Sequence, residues 1–206
     1  MSSELLLLAK RVQAIAEGGE HFCENHWDRE RYEELEDIAM KMMSLLTDRN
    51  LETIMVHTME RNGYKTPKTD VRAVVFNPRG EILLVKEVVD DRWSLPGGWA
   101  DVGYTPSEVA VKETREEAGL AVTAGRLLAV LDKKCHEHPE DLYYIYKIFI
   151  ECKAEDFTPA AGTETTDVGF FSLDKLPELS TPRNTEGQIH SMFDICLNNG
   201  AWPLID

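Results

Sequence analysis

The stretch Leu95-Pro96-Gly97-Gly98-Trp99-Ala100-Asp101-Val102-Gly103-Tyr104-Thr105-Pro106-Ser107-Glu108-Val109-Ala110-Val111-Lys112-Glu113-Thr114-Arg115-Glu116-Glu117-Ala118-Gly119-Leu120 reads as loop, helix, loop. Thr105 with Glu108 three residues later forms a capping box, and Pro106 falls at the first helical position, where a missing N–H costs nothing. Gly119 supplies a left-handed stop. Local chemistry therefore bounds this helix at both ends.

Its faces differ. Glu113, Glu116 and Glu117 fall at i, i+3 and i+4 and share a stripe, while Ser107, Val111, Thr114 and Ala118 are expected on the opposite, packed side. Like charges at this spacing oppose each other by roughly 0.2–0.5 kcal/mol, and acids in the last turn oppose the helix dipole. Stability alone would not put them there. A divalent cation reverses the sign, because Mg2+ or Mn2+ takes hard oxygen ligands of this kind and completes its shell with water and phosphate.

The stretch resembles the Nudix box, G-x5-E-x7-R-E-U-x-E-E-x-G-U with U a bulky aliphatic. Aligned on Gly98, it matches at Gly98, Glu113, Glu116, Glu117, Gly119 and Leu120. Tyr104 stands for the first Glu, Lys112 for the Arg and Thr114 for the aliphatic. Lys112 keeps the positive charge without the bidentate fork of Arg, and Tyr104 cannot act as a carboxylate. The resemblance implies a metal shell of Glu113, Glu116 and Glu117, with a backbone carbonyl at the glycine turn, for which Gly97 is the candidate, and Lys112 holding the glutamates in register. Glu164 lies in a loop where relatives often carry a further metal-binding or general-base carboxylate. It is assigned as the base, with Glu116 in reserve.

The whole chain has 206 residues, 22 basic against 37 acidic, for a net charge of −15. That acidity disfavours nucleic acid and anionic membrane as partners and requires cations for a phosphate-bearing substrate to approach. No apolar run has the roughly 18 residues of a membrane span. Leu5–Ala9, followed by Lys10-Arg11, lacks the order of a secretory signal. Cys23, Cys135, Cys152 and Cys196 have no C-x-x-C spacing and read as reduced thiols of a cytoplasmic protein.

Residues 1–66 read as a helical N-terminal domain. Leu5, Leu8, Val12 and Ile15 form a stripe up to Gly18-Gly19. Asp28 can cap a second helix with Tyr32, Leu35, Ile38, Ala39, Met42 and Leu46 on one face, and a third runs from Leu51 to Arg61, ending at Asn62-Gly63. The arm is a dimerisation element, a wall of the substrate pocket or a stabilising cap.

Thr66-Pro67-Lys68-Thr69 reads as the boundary, and residues 67–206 as the second domain. Val71–Phe76 and Ile82–Val89, joined by the Asn77-Pro78-Arg79-Gly80 turn, are expected to pair as a hairpin. Ala121–Leu131 and Leu142–Cys152 read as strands, the latter with Tyr143, Tyr144, Tyr146 and Phe149 as sheet core in preference to a base-stacking surface. His136-Glu137-His138 reads as a polar loop in preference to a metal site. Val168–Pro177 resembles the segment that closes the family's sheet, and Thr185–Leu197 reads as a helix with Ile189, Phe193 and Leu197 on the sheet.

The resemblance, spanning residues 67–200, implies an α/β fold: a Nudix-type α/β/α sandwich with a mixed sheet, preceded by the small all-α domain. The arm also resembles the extension of a subgroup acting on nucleoside diphosphates linked to X, such as ADP-ribose or CDP-choline. The implied enzyme is a Mg2+- or Mn2+-dependent pyrophosphohydrolase, a homodimer, releasing a nucleoside monophosphate and X-phosphate. A nucleotide-sensing protein that does not cleave and an RNA end-processing hydrolase are the alternatives.

Overall fold

The computed structural model describes residues 2–47, 49–58 and 65–206. The chain forms two compact units, one of residues 1–67 with 140–144, the other of 68–139 with 145–206.

The first unit holds three helices, α1 (Ser2–Phe22), α2 (His26–Leu46) and α3 (Leu51–Thr58). Here α1 continues through Gly18-Gly19, where a stop was expected. The Tyr32 ring of α2 occupies the space a Cβ on Gly19 would need, so glycine here serves close helix packing. The cap of α2 is Asn25, whose side chain accepts the Asp28 N–H at 2.8 Å, correcting the assignment to Asp28. The expected end of the third helix at Asn62-Gly63 lies outside the described residues.

The expected stripe on α1 is mostly turned outward, while that on α2 is divided: Ala39 is buried and Met42 and Leu46 pack against the unit's core. Leu5, Leu8 and Ile15 of α1 are exposed, as are Leu35 and Ile38 of the α2 stripe and Leu45 beside it. The unit's own core takes Leu6, Ala9, Met40, Met43 and Ile54, with Leu142 from the later segment. Periodicity locates an apolar face but does not say which face meets the chain's own core.

The second unit contains β1 (Lys68–Val75), β2 (Ile82–Glu87), β3 (Trp93–Ser94), β4 (Gly97–Trp99), α4 (Pro106–Ala118), β5 (Val122–Asp132), β6 (Ile145–Ala154), β7 (Thr165–Phe171), α5 (Glu186–Leu197) and β8 (Leu204–Ile205). A five-stranded mixed sheet runs β4-β1-β6-β5-β8, and a three-stranded antiparallel sheet runs β3-β2-β7.

The expected hairpin of β1 and β2 does not form. The Asn77 turn is present, with Asn77 Oδ1 accepting from the N–H groups of Arg79 and Glu81, yet the two strands enter different sheets. β1 is taken by β4 and β6, β2 by β3 and β7, and Phe76 meets Ile82 in an isolated bridge.

Alternate residues of these strands face two helices. Val74, Ile82 and Leu84 pack with Ile189, Met192, Phe193 and Ile195 of α5, while Val71, Ala73, Val75, Leu83 and Val85 pack with Val109, Ala110 and Ala118 of α4. The unit is an α/β/α sandwich, and burial on both faces explains the unbroken apolar runs. Leu197, expected on the sheet, is exposed. Leu142–Tyr144 stay outside β6 and belong with the helical unit; of the four aromatics assigned to sheet core, Phe149 is buried in it and Tyr146 is exposed. Among the described residues no helix is long and apolar enough to cross a membrane.

Candidate active site

The ends of α4 are closed by local bonds. The Thr105 N–H donates to Glu108 Oε2 at 2.8 Å, the Glu108 N–H returns to Thr105 Oγ1, and Gly119 adopts φ 66°. Val109, Ala110, Thr114 and Ala118 are buried, which sets the rotation of the helix. Ser107, expected on the packed side, is exposed, and Glu117, expected on the outer stripe, lies on the buried face at 6 % exposure. The three glutamates therefore run from open to enclosed: Glu116, Glu113, Glu117.

Lys112 ties the outer two together. Its Nζ lies 2.9 Å from Glu113 Oε1 and 3.3 Å from Glu116 Oε2, and these partners raise its pKa, the Glu113 hydrogen bond foremost. The same ammonium stands 6.0 Å from the centre of the Tyr104 ring, within cation–π range. Tyr104, which replaces a carboxylate of the box, thus supports the lysine that replaces its arginine.

Glu117 faces the glycine turn, and Gly97 N–H donates to its Oε2 at 2.9 Å. Gly97 has φ 146°, and a Cβ there would strike the Val71 carbonyl on β1, so glycine is required for strand and turn to approach this closely. Burial pushes the Glu117 carboxyl up to about 7. The Gly97 bond and Arg72 counter that rise, and Glu87 and Glu113 add to it. Gly98 lies beside the Glu113 carboxylate.

The loop carrying Glu164 is tethered to the last turn of α4. Thr165 Oγ1 donates to the Glu117 carbonyl at 2.7 Å, and the Gly162 N–H reaches the same oxygen at 3.2 Å. Glu164 itself is exposed. His138 Nδ1 bonds to the Thr181 carbonyl and His136 Nε2 to Asp206, leaving that pair in a polar loop.

Beneath the turn lies a charged cluster that the sequence analysis missed. Arg72 Nε is 3.0 Å from Asp70 Oδ1, Arg72 Nη1 donates to the Leu95 carbonyl at 3.0 Å, and Lys147 Nζ also binds Asp70. Burial alone would raise Asp70, but the two cations hold it below the usual carboxylate range. Glu87 accepts from Ser94 Oγ at 2.6 Å and pairs with Arg183 at 2.8 Å. A charged residue inside an otherwise apolar strand, as in TDVRAVV or IYKIFI, was the available signal.

A hard divalent cation fits this donor set chemically. The carboxylates are oxygen ligands, and the Lys112 ammonium already sits as a cation between Glu113 and Glu116. As the side chains stand, no group of three His, Cys, Asp or Glu among the described residues converges enough to hold a metal. Glu113 is turned to Lys112, and Glu117 to Gly97.

Comparison with known proteins agrees with this architecture. Residues 3–56 match the model of the "UDP-X-like, N-terminal oligomerisation domain" and residues 66–191 that of the NUDIX domain. The chain is 45 % identical over 186 residues to the Bacillus subtilis (strain 168) protein named "Putative ADP-ribose pyrophosphatase YjhB", covering 90 % of this chain and 89 % of that one. Among solved structures, an ADP-ribose pyrophosphatase from Streptococcus suis 89-1591 is 40 % identical, over 68 % of this chain and all of that one, at a TM-score of 0.61. A UDP-X diphosphatase is 32 % identical over 100 % of this chain and 99 % of that one, at 0.62.

Box helix, sandwich and matches together define a pyrophosphohydrolase. The chain belongs to the Nudix family, whose hydrolases generally use divalent cations.

Proposed function

We propose that this enzyme hydrolyses the pyrophosphate of a nucleoside diphosphate linked to X, of the ADP-ribose or CDP-choline kind, releasing a nucleoside monophosphate and X-phosphate. The observation that carries the reading is the graded row of glutamates on α4, tied at one end to Lys112 and at the other to the Gly97 N–H. The names of the relatives, two ADP-ribose pyrophosphatases and a UDP-X diphosphatase, support the substrate class.

Glu113, Glu116, Glu117, the Gly97 carbonyl and Glu164 are the groups that would hold Mg2+ or Mn2+. The bound cation supplies charge neutralisation at the diphosphate and lowers the pKa of attacking water. Glu164, at the mouth of the tethered loop, takes the proton of that water, with Glu116 as the reserve base. Lys112 keeps Glu113 and Glu116 in register. The outward apolar faces of α1 and α2 support a homodimer formed by the helical unit. Four free cysteines support a cytoplasmic setting.

A panel of ADP-ribose, CDP-choline, UDP-sugars, NADH, diadenosine polyphosphates and 5′-triphosphate RNA, assayed with Mg2+ and with Mn2+, tests the reading. Metal-dependent release of a nucleoside monophosphate from a diphosphate-linked substrate is expected. Turnover confined to RNA, or none on any of them, overturns it.

A further inference from the structure

The turn that presents Gly97 is held from two sides by side chains remote in sequence. The Leu95 N–H donates to Asn184 Oδ1 at 2.8 Å, and the Leu95 carbonyl accepts from Arg72 Nη1 at 3.0 Å. Both side chains are buried, Asn184 completely. Two residues on, the Gly97 N–H meets Glu117.

Asn184 is part of a strap. Ser180 N–H donates to the Trp93 carbonyl at 2.7 Å, and Arg183 Nε lies 2.8 Å from Glu87 Oε1, so the strap holds both the strand leading into the turn and the carboxylate whose charge acts on Glu117. Among the described residues the buried Nδ2 of Asn184, like Nε2 of Gln188, has no hydrogen-bond partner, so the Leu95 contact is the bond that its side chain makes.

We infer that Asn184 and Arg72 are positioning residues of the hydrolytic site: by gripping the two backbone atoms of Leu95 they set where Gly97 meets Glu117. This rests on the function proposed above. A small displacement of such a group is costly to turnover without altering substrate affinity to the same degree.

The test compares full-length wild type with Asn184→Ala, Asn184→Asp and Arg72→Lys. The readouts are kcat and KM, Mn2+ affinity by titration of free Mn2+, and amide hydrogen exchange at Gly97 against the β5–β6 ladder. For Asn184→Ala, kcat falls by roughly ten- to a hundredfold with KM changed less, as loss of orientation requires. Mn2+ binds more weakly, and Gly97 exchanges faster while the ladder stays protected. Asn184→Asp keeps an acceptor for the Leu95 N–H but buries a carboxyl in place of the amide, so it recovers part of the rate lost in Asn184→Ala. Arg72→Lys keeps a cation on Asp70 but gives up the Leu95 carbonyl, and it follows Asn184→Ala.

An active wild type with Asn184→Ala unchanged in kcat and Gly97 exchange overturns the inference and leaves the proposed function standing. A loss of rate matched by exchange across the whole ladder also overturns it. A wild type with no metal-dependent turnover overturns the proposed function and the positioning role together.

Discussion

The backbone N–H of Gly97 and the carboxylate of Glu117 meet across 2.9 Å, joining the glycine turn to the inner end of the glutamate row. Glutamine can still accept that hydrogen bond but cannot carry the charge. Glu117→Gln should therefore fold as wild type by circular dichroism while kcat at saturating Mg2+ drops by about a hundredfold or more. Equal rates for the two proteins would remove Glu117 from the reaction.

Gly97→Ala tests the other partner. With φ at 146° and the Val71 backbone where the new Cβ must go, neither rotation nor a side-chain adjustment relieves the clash. The variant should lose on the order of 3 kcal/mol in urea unfolding. A loss below about 1 kcal/mol would mean that strand and turn are not so tightly apposed.

The outward face of α1 is where the proposed homodimer is tested. Ile15 is 64 % exposed, with Leu5 and Leu8 on the same stripe, and none of them serves the helical unit's own core. On the proposed homodimer, Ile15→Glu should give a folded monomer in light scattering after size exclusion. A variant that keeps the wild-type mass places the interface elsewhere.

His138 gives the protein an acid-side sensitivity. Its Nδ1 donates to the Thr181 carbonyl, its Nε2 is buried without a partner among the described residues, and burial pushes its pKa down to about 4, with Lys147, Lys133 and His136 adding to the shift. The unfolded chain, near 6.5, binds more protons across this window. Stability from His138 is therefore complete above about 6.5 and is lost as pH falls through 4. Urea midpoints from pH 7 to 4 should decline less steeply in His138→Gln, and parallel curves would refute the assignment.

What the residues announced in advance was local chemistry. The Thr105–Glu108 box, Pro106 and Gly119 act within one or two turns, so the bounds of α4 and the spacing of Glu113, Glu116 and Glu117 are legible without a fold. The Asn77 turn is legible for the same reason.

Pairing and rotation are not local. Whether β2 takes β1 or β7 depends on strands up to ninety residues away competing for the same backbone edge, and that competition made two sheets out of an apparent hairpin. Rotation of α4 about its axis buried Glu117 and left Glu116 open, although both belong to one stripe in the sequence. The sequence by itself determined a capped helix carrying three acids beside a glycine turn, because those signals act between near neighbours. Only the tertiary structure decided that Arg72, Asn184 and Glu117 converge on Leu95 and Gly97, because buried hydrogen bonds between distant segments exist only once packing has brought them together.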